Sequence, residues 1–374
     1  MKNSMVCKIF CMAAAGILCF SGCAESKGQA EVSDKVYIEK DIQQETDRIK
    51  INGTDFYSGN KILWLNGVSL SIEINSLHDE KYWSNMFEEL RNSGINCIRM
   101  EFLTCPVKLY NDGSFNKIDE EFFDNFDVIA NTAQENKVYL IPVLLSEKVF
   151  TEGSDTARWN SMAKNKTLID TYVKGYVAPF VTRYTDNNYI LAVDIFDEPD
   201  IIAEKIGTQY AQWDDLTAFF AKNAAAVHSN SEILVTVGMS KVKYNSDNRN
   251  GNYVSDFKLR KSGDINGYLD FYSIHYYYCN NSWAGFPFEL TPKEYTLDGT
   301  KPCIISKAEY ANDKSGRSLN DKYISAYNNG WNGVFADAGD CSDAAVPEEI
   351  KTAADVVMKA SNKKVFPHDT EPDL

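Results

Sequence analysis

The sequence predicts an α/β fold, a closed (β/α)8 TIM barrel with a short N-terminal β-hairpin. Eight short apolar runs alternate with amphipathic stretches from residue 60 to the end of the chain. Several runs lack strict alternation of polar and apolar residues, which is typical of parallel strands buried on both faces. Without its N-terminal segments the chain keeps roughly 330 residues, and such a barrel commonly needs about 250 plus loops. Length and pattern therefore favour one barrel domain.

The N-terminus has the pattern of an export signal. Two lysines precede an apolar stretch over residues 9–20, which is shorter than a membrane span. Two small residues then lead to Cys23, in an order that resembles a bacterial lipobox, although Phe20 replaces the usual aliphatic residue. The resemblance implies a signal peptide over residues 1–23 and a lipid on Cys23. Cleavage of an ordinary secretory signal nearby is the alternative.

A polar segment separates this signal from the predicted barrel. Residues 24–45 are charged and nearly free of aromatic residues, which predicts a flexible tether before a domain over residues 46–374. No later apolar run reaches the roughly 20 residues of a membrane-spanning helix, so the lipid is expected to be the only membrane anchor. We expect a monomeric, extracytoplasmic, membrane-anchored bacterial lipoprotein, at the cell surface or in the periplasm.

Charge and cysteine content exclude some classes of partner. The net charge of −15 argues against nucleic acid, because no basic run is present to neutralise phosphates. The cysteines after Cys23 include no CxxC pair, which argues against zinc. Cys97 and Cys303 lie inside apolar runs and are expected to be small buried thiols. No His and Asp cluster has ligand-like spacing, so we expect neither a metal nor another cofactor.

The elements of the barrel can be placed in order. Turn signals at Asn52-Gly53 and Gly59-Asn60 predict a hairpin over residues 49–61 that closes the bottom of the barrel. Apolar residues at intervals of three and four predict helices between the strands. A doubly wound sheet is the alternative order, but no Gly-rich phosphate loop follows the first strand. The predicted strands are Ile62–Ser69, Asn96–Phe102, Val138–Leu145, Ile190–Phe196, Ile233–Gly238, Leu269–Tyr276, Cys303–Ser306 and Gly333–Asp337.

Carboxylates concentrate at the carboxyl ends of these strands, where barrels carry their chemistry. Cleavage of a glycosidic bond needs two carboxyl groups, one protonated to release the leaving oxygen and one ionised. Strands across a barrel can hold two such groups near the roughly 5 Å separation that retention of configuration requires. The acidic residues at or just after strand ends are Glu73, Glu101, Glu147, Asp197, Glu198, Glu309 and Asp337.

Five segments carry a family resemblance. They are Asn66–Ser69, Gly94–Arg99, Asn188–Pro199, Asp270–Tyr277 and Gly330–Val334. The third ends in Asp-Glu-Pro, and the fourth ends in a histidine and tyrosine of the sixth strand. In order and spacing they resemble the strands of clan A glycoside hydrolases, the family 5 cellulases and mannanases, which usually have Asn-Glu-Pro at the end of strand four. The resemblance covers most of the barrel.

The resemblance implies a retaining O-glycosyl hydrolase that acts on a β-linked polysaccharide or oligosaccharide. Glu198 would be the general acid/base, its pKa raised by a negative nucleophile nearby. Arg99 would hydrogen-bond the nucleophile and keep it ionised, Tyr277 would orient it, and His275 would shape the subsite. Structural alternatives are a turn glutamate for Glu198, a buried ion pair for Arg99 and a core histidine for His275.

Strand seven departs from the family pattern. The family nucleophile follows the strand-seven proline by about five residues, but that position here is Lys307, a cation. Glu309 lies two residues further along and precedes an aromatic residue, as the family nucleophile does. A longer or bulged strand would bring Glu309 to the working position, with Lys307 as a salt-bridge partner that lowers its pKa. Loss of catalysis, with Glu309 a loop acid, is the alternative.

Two further departures concern sugar contacts. Asp197 replaces an asparagine that hydrogen-bonds the sugar in the family, and a carboxylate accepts but cannot donate such a bond. It also adds a like charge beside Glu198, which raises one pKa of the pair. Asp337 stands where the family has a sugar-stacking tryptophan. Candidates for stacking instead are Trp83, Trp159 and Trp283, with a helix core as the alternative for Trp83.

The leading function is therefore a retaining glycosidase without a cofactor, in which Glu198 protonates the leaving group and Glu309 forms the glycosyl-enzyme. The alternative is a catalytically inactive lipoprotein barrel that binds glycans, which Lys307 and the missing tryptophan favour. A metal site among the rim carboxylates is a third possibility. The expected substrate-binding residues are Arg99, Asp197, His275, Tyr277 and Asp337.

Overall fold

Eight parallel strands close into a barrel, as the sequence predicts. Each strand pairs with the next, and the last pairs with the first through Val334 and Asn66. Five of them are buried along their whole length, which explains their continuous apolar runs. The strands are β1 Leu65–Ile72, β2 Cys97–Phe102, β3 Tyr139–Val143, β4 Ala192–Asp197, β5 Leu234–Met239, β6 Tyr272–Tyr276, β7 Cys303–Ala308 and β8 Gly333–Asp340.

The computed structural model describes most of the chain from residue 48 onwards. The described ranges are 48–74, 79–245, 251–262, 264–280, 285–297, 299–311, 313–340, 345–362 and 364–367. The predicted signal peptide, the predicted tether, Cys23 and Trp283 lie outside the described residues. Residues 45–374 form one compact unit, which contains the whole barrel.

The predicted N-terminal hairpin is a three-stranded antiparallel sheet. Its strands are Lys50–Asn52, Asp55–Ser58 and Lys61–Leu63. The first turn contains Gly53 and the second Gly59, and both glycines have a positive φ, as the turn signals require. Because its third strand pairs with the second, β1 begins at Leu65, later than the sequence pattern predicts.

This sheet closes the lower, amino-terminal end of the barrel. Phe56 is fully buried and packs edge-to-face on Phe271, with ring centroids 5.3 Å apart. Leu63 and Phe335 belong to the same apolar cluster, which fills the lower interior. A Cβ on Gly67 would lie 2.2 Å from the Phe335 ring, so only glycine fits there. The lower end is therefore packed with side chains.

Helices surround the barrel and bury amphipathic faces against it. Trp83, Phe87 and Leu90 form the buried face of the first helix, at the predicted spacing. Among the described residues, no helix is long and apolar enough to cross a membrane. The α-helices are Glu80–Asn92, Phe122–Glu135, Lys148–Thr151, Thr156–Lys164, Lys166–Tyr172, Ala178–Arg183, Pro199–Ala203, Trp213–Asn230, Asp256–Ser262, Leu319–Asn328 and Glu348–Ala360.

Short elements complete the fold. A two-stranded antiparallel ribbon lies in the loop after β2, and a π-helix joins two of the α-helices. The ribbon strands are Val107–Leu109 and Phe115–Ile118, the π-helix is Val173–Val177, and the 3-10 helices are Val242–Tyr244, Tyr278–Asn280 and Pro287–Glu289. Cys97 and Cys303 are buried free thiols, which confirms that expectation.

Candidate active site

Glu198 occupies the carboxyl end of β4 in a left-handed backbone conformation. Its φ is 52°, which is uncommon for a residue other than glycine and typical of functional positions. The Glu198 amide donates to the carbonyl of Gly238 on β5 at 2.8 Å, and Pro199 then starts a short helix. This turn places the Glu198 carboxylate at the carboxyl end of the barrel, where the side chain is 10% exposed.

Two residues of the sixth-strand segment hold the Glu198 carboxylate. His275 Nδ1 and the Tyr277 hydroxyl lie 2.8 and 2.6 Å from Glu198 Oε1. Burial opposes ionisation of this carboxyl, but the hydrogen bond and charge of His275, the charge of Lys307 and the Tyr277 hydrogen bond outweigh it and lower the Glu198 pKa to about 2. The expected raised pKa is therefore wrong, because the hydrogen bonds and positive charges at Glu198 outweigh its burial. Tyr277 orients Glu198, and not a strand-seven nucleophile.

Arg99 anchors a buried ion cluster beneath Glu198. Its guanidinium is fully buried and donates to Asp194 from Nε at 3.0 Å and from Nη2 at 2.7 Å, and it also pairs with Asp197. Arg99 thus contacts the two β4 carboxylates instead of a nucleophile on strand seven. Burial raises the pKa of Asp194, while the Lys307 and Arg99 charges overcome burial and lower the pKa of Asp197.

Lys307 extends this cluster from β7. Its Nζ lies 3.1 Å from Glu101 Oε2 and 3.1 Å from Asp197 Oδ2. Lys148 binds the other Glu101 oxygen at 2.9 Å, and the two lysines overcome burial and lower the Glu101 pKa. The expected partner of Lys307 was Glu309, but no ion pair joins them in the described part of the chain. Lys307 instead neutralises the carboxylates at the centre of the barrel.

Gly238 on β5 leaves the space in which this cluster packs. A Cβ there would lie 2.7 Å from His275 Nε2, 2.8 Å from Asp194 Oδ2 and 2.9 Å from Arg99 Nη2. The Gly238 amide also donates to Asp194 Oδ1 at 3.0 Å. Any larger residue would displace the groups that hold Glu198 and Asp197, so the glycine is part of the site.

Glu309 lies just beyond β7, on the side of the sixth-strand segment. The strand runs to Ala308, longer than predicted, with register irregularities against both neighbours. The Glu309 amide donates to Tyr276 O at 2.9 Å, and its Oε2 accepts from the Tyr278 amide at 2.7 Å. No hydrogen bond links Glu309 with Glu198 among the described residues. Its role as nucleophile stays a prediction.

Glu147 is a third carboxyl group close to Glu198. One oxygen from each of Glu147, Asp197 and Glu198 lies within 4.8 Å of the others, the separation at which a metal ion could also bind. Burial, followed by the Asp197 charge, raises the Glu147 pKa to about 7. The oxygens of Asp197 already accept from Arg99 and Lys307, so the protein supplies the counter-charges of this group itself.

The remaining predicted contacts have mixed outcomes. Asp337 lies on β8, is partly exposed, and its charge contributes to raising the Tyr277 pKa, which places it near the site. Trp83 and Trp159 are both buried in the core, so neither can stack on a sugar at the rim. The stacking prediction is wrong for Trp159, whereas burial of Trp83 agrees with its interpretation as helix core. Trp83 instead stacks on Phe87, the helix-core alternative.

Sequence reasoning missed Asp194, Lys148 and Gly238, and it recorded Glu147 only as one rim carboxylate. Asp194 had a usable signal, because an acidic residue inside an otherwise apolar strand requires a buried cation such as Arg99. Gly238 had none, since the crowding around it depends on side chains from three other strands.

The closed barrel has neighbouring buried carboxyl groups at the carboxyl ends of its strands, which is what a glycosidase-type site requires. Residues 56–366 match the profile of the family described as Cellulase (glycosyl hydrolase family 5), and the chain belongs to this family. It is a retaining glycoside hydrolase that acts on β-linked glycans with two carboxyl groups. The family membership gives no indication of the catalytically inactive alternative.

Solved structures share the fold at low sequence identity. The β-mannanase from the blue mussel Mytilus edulis has a TM-score of 0.70 and 18% identity over 85% of this chain and 98% of that chain. The β-1,4-D-mannanase from Cryptopygus antarcticus has a TM-score of 0.70 and 20% identity, with coverages of 83% and 94%. The β-1,4-mannanase from the sea hare Aplysia kurodai gives 0.68 and 19%, with coverages of 83% and 96%. No curated protein matches the chain by sequence.

Proposed function

We propose that the chain hydrolyses a β-1,4-linked mannan with retention of configuration, and that Glu198 is one of its two catalytic carboxyl groups. The observation that carries the proposal is the Glu198 carboxylate, strained at the end of β4 and held by His275 and Tyr277. The choice of mannan is supported by the mannanases that share the fold. A neutral glycan also suits a site whose buried cations are already paired with carboxylates.

The test is hydrolysis by the full-length chain. Wild type is assayed on β-1,4-mannan, β-1,4-glucan and a dinitrophenyl β-mannoside, beside Glu198→Gln. We expect wild type to prefer mannan and Glu198→Gln to lose at least about 10²-fold in rate, because the substitution removes ionisation but keeps size. Glu348→Gln, on an exposed outer helix residue, is the matched control and should keep full activity.

Two outcomes would overturn this proposal. If wild type hydrolyses none of the three substrates but binds mannan, the barrel is a binding protein. If Glu198→Gln retains wild-type rates, Glu198 is not catalytic. A clear preference for glucan over mannan would reject the substrate while leaving the reaction class in place.

We also propose that the protein is exported, lipidated on Cys23 and held at the membrane by that lipid alone, as a monomer. The support is the order of charged, apolar and small residues before Cys23 and the polar segment after it. A surface or periplasmic location would give the enzyme access to glycans outside the cytoplasm.

A further inference from the structure

A groove lies between helices on the outside of the barrel, apart from the carboxylates of the site. Its volume is about 540 Å³, within the range of about 300–1,000 Å³ that is typical of small-molecule sites. Its walls include residues of the helices Lys166–Tyr172, Trp213–Asn230 and Asp256–Ser262. We call this feature the helix groove.

The helix groove lies toward the end of the barrel that carries Glu198. Asp214, in its wall, is in the first turn of its helix, and a helix that follows a barrel strand begins at the carboxyl end of that strand. Tyr253, also in the wall, donates from its amide to Tyr244 O at 3.0 Å, and the Tyr244 hydroxyl donates to Glu204 Oε1 at 2.6 Å. Glu204 caps the short helix that starts after Glu198. The groove is therefore on the outer side of β4 and β5.

Two aromatic residues form much of the apolar surface of the groove. Trp213 stacks on Tyr253 with ring centroids 4.4 Å apart, and the Lys258 ammonium lies 4.9 Å from the Tyr253 ring centroid. These contacts fix the Tyr253 ring in place. Phe257 is 75% exposed, and its ring contact is the Lys261 ammonium at 5.9 Å. Phe257 therefore leaves most of a flat apolar ring open to a ligand.

Polar groups of the groove have hydrogen-bonding capacity that the protein does not use. Within the described part of the chain, the Asp214 carboxylate, the Tyr253 hydroxyl and the ammonium groups of Lys258 and Lys261 form no hydrogen bond or ion pair. A carboxylate only accepts and an ammonium group only donates, whereas a sugar hydroxyl does both. This combination of groups therefore suits a ligand that is rich in hydroxyl groups.

The charges in the wall disfavour two other classes of ligand. The lining contains four lysines and two aspartates. An anionic ligand would meet the aspartates, and the centres of protein–protein interfaces are depleted in both lysine and aspartate. A neutral sugar ring has an apolar face of C–H groups and a rim of hydroxyls, which match the open Phe257 ring and the charged groups around it.

We propose that the helix groove is a second glycan-binding site, which holds a stretch of β-1,4-linked mannan outside the catalytic end of the barrel. The inference rests on the proposed function, because the polymer is the substrate proposed there. A chain held in the groove stays close to Glu198, so its next encounter with the site becomes intramolecular. The second site therefore favours long substrates over short ones.

Binding without cleavage tests the groove directly. Cosedimentation with insoluble β-1,4-mannan is measured for the full-length Glu198→Gln chain, with and without a second substitution. Adding Phe257→Ala should weaken binding about fivefold, because the stacking face is lost. Tyr110→Ala is the matched control, since it removes an exposed ring that is not in the lining of the groove, and it should bind as the parent does.

Kinetics of the otherwise wild-type chain provide the second readout. Phe257→Ala should lower kcat/KM on mannan about fivefold, in step with binding. The rate on dinitrophenyl β-mannoside should fall far less, because a single sugar unit does not reach from the catalytic end to the groove. Circular dichroism of each variant checks that the fold is retained.

Three results would overturn the inference. These are equal binding of mannan by Phe257→Ala and its parent, equal losses of rate on the two substrates, and a wild-type dimer in sedimentation velocity that Phe257→Ala dissociates. The last result would assign the groove to a second copy of the chain.

The same experiments separate the groove from the proposed function. A wild type that hydrolyses nothing but binds mannan through Phe257 would remove the proposed hydrolysis and support the groove. An active wild type whose mannan binding does not depend on Phe257 would keep the hydrolysis and overturn the groove.

Discussion

At the scale of single residues, the site depends on how buried charges are matched. Lys307 contacts two carboxylates, Glu101 and Asp197, and Arg99 contacts Asp197 from the other side. Removing one partner of a buried pair leaves an uncompensated charge, which costs about 3–5 kcal/mol. Lys307 occupies the position expected for a nucleophile. Its charge is therefore needed to neutralise the buried carboxylates of Glu101 and Asp197.

Gly238 gives a prediction at this scale. Gly238→Ala should lower kcat by about 10²-fold, because the added Cβ must displace His275 or Arg99 by a few tenths of an ångström or more. Steady-state kinetics on mannan measures the effect. Gly251→Ala is the control, since its Cβ would meet nothing within 4 Å. Equal activity of the two variants would show that the cluster tolerates the displacement.

The sequence identified most of the residues at the site but not their contacts. Glu198, His275, Tyr277, Arg99 and Asp197 do lie together, because motif positions at strand ends locate side chains well. Which group each one binds depends on rotamers and on cross-barrel packing, and a linear pattern contains no information on either. This is why the expected pKa shift of Glu198 had the wrong sign.

At the scale of elements, all eight predicted strands are present, because buried parallel strands have a strong apolar signal. The predicted bounds differ from the structure at the ends of the strands. The sequence pattern places Ile62 and Leu63 in the first barrel strand, but they pair with Tyr57 and Phe56 in the small sheet. A continuous apolar run does not show where the chain changes from one sheet to the next, since both burial environments are apolar.

Phe56 tests the importance of that small sheet. Phe56→Ala should lower the free energy of unfolding by about 3–5 kcal/mol, because it empties a fully buried ring from the lower barrel. Denaturant titration followed by fluorescence measures this change. Tyr110→Ala removes an aromatic ring that is 56% exposed and should change stability by less than about 0.5 kcal/mol. If the loss of stability in Phe56→Ala is as small as that expected for Tyr110→Ala, the sheet contributes little to the stability of the barrel.

At the scale of the whole molecule, the chain combines a net charge of −15 with a site whose charges are internally paired. The anchor proposed at Cys23 would determine where this enzyme works, and it is open to a direct test.

Cys23→Ser should move the protein from the membrane to the soluble fraction. A diacylated cysteine binds a bilayer stably because two chains add their buried methylene groups, whereas an unmodified N-terminus does not. Detergent phase partition and mass spectrometry of the N-terminal peptide provide the measurement. Cys19→Ser, within the predicted signal peptide, should remain lipidated. A wild-type protein without lipid would favour the ordinary secretory signal.

The packed lower end of the barrel also limits the route by which a polymeric substrate can reach the site. Phe56 and Phe335 fill that end, so in the described part of the chain no passage runs through the barrel from its lower end to Glu198. A long glycan cannot be threaded through the molecule. Substrate must therefore arrive at the end of the barrel where Glu198 lies, and each product must leave from that same end.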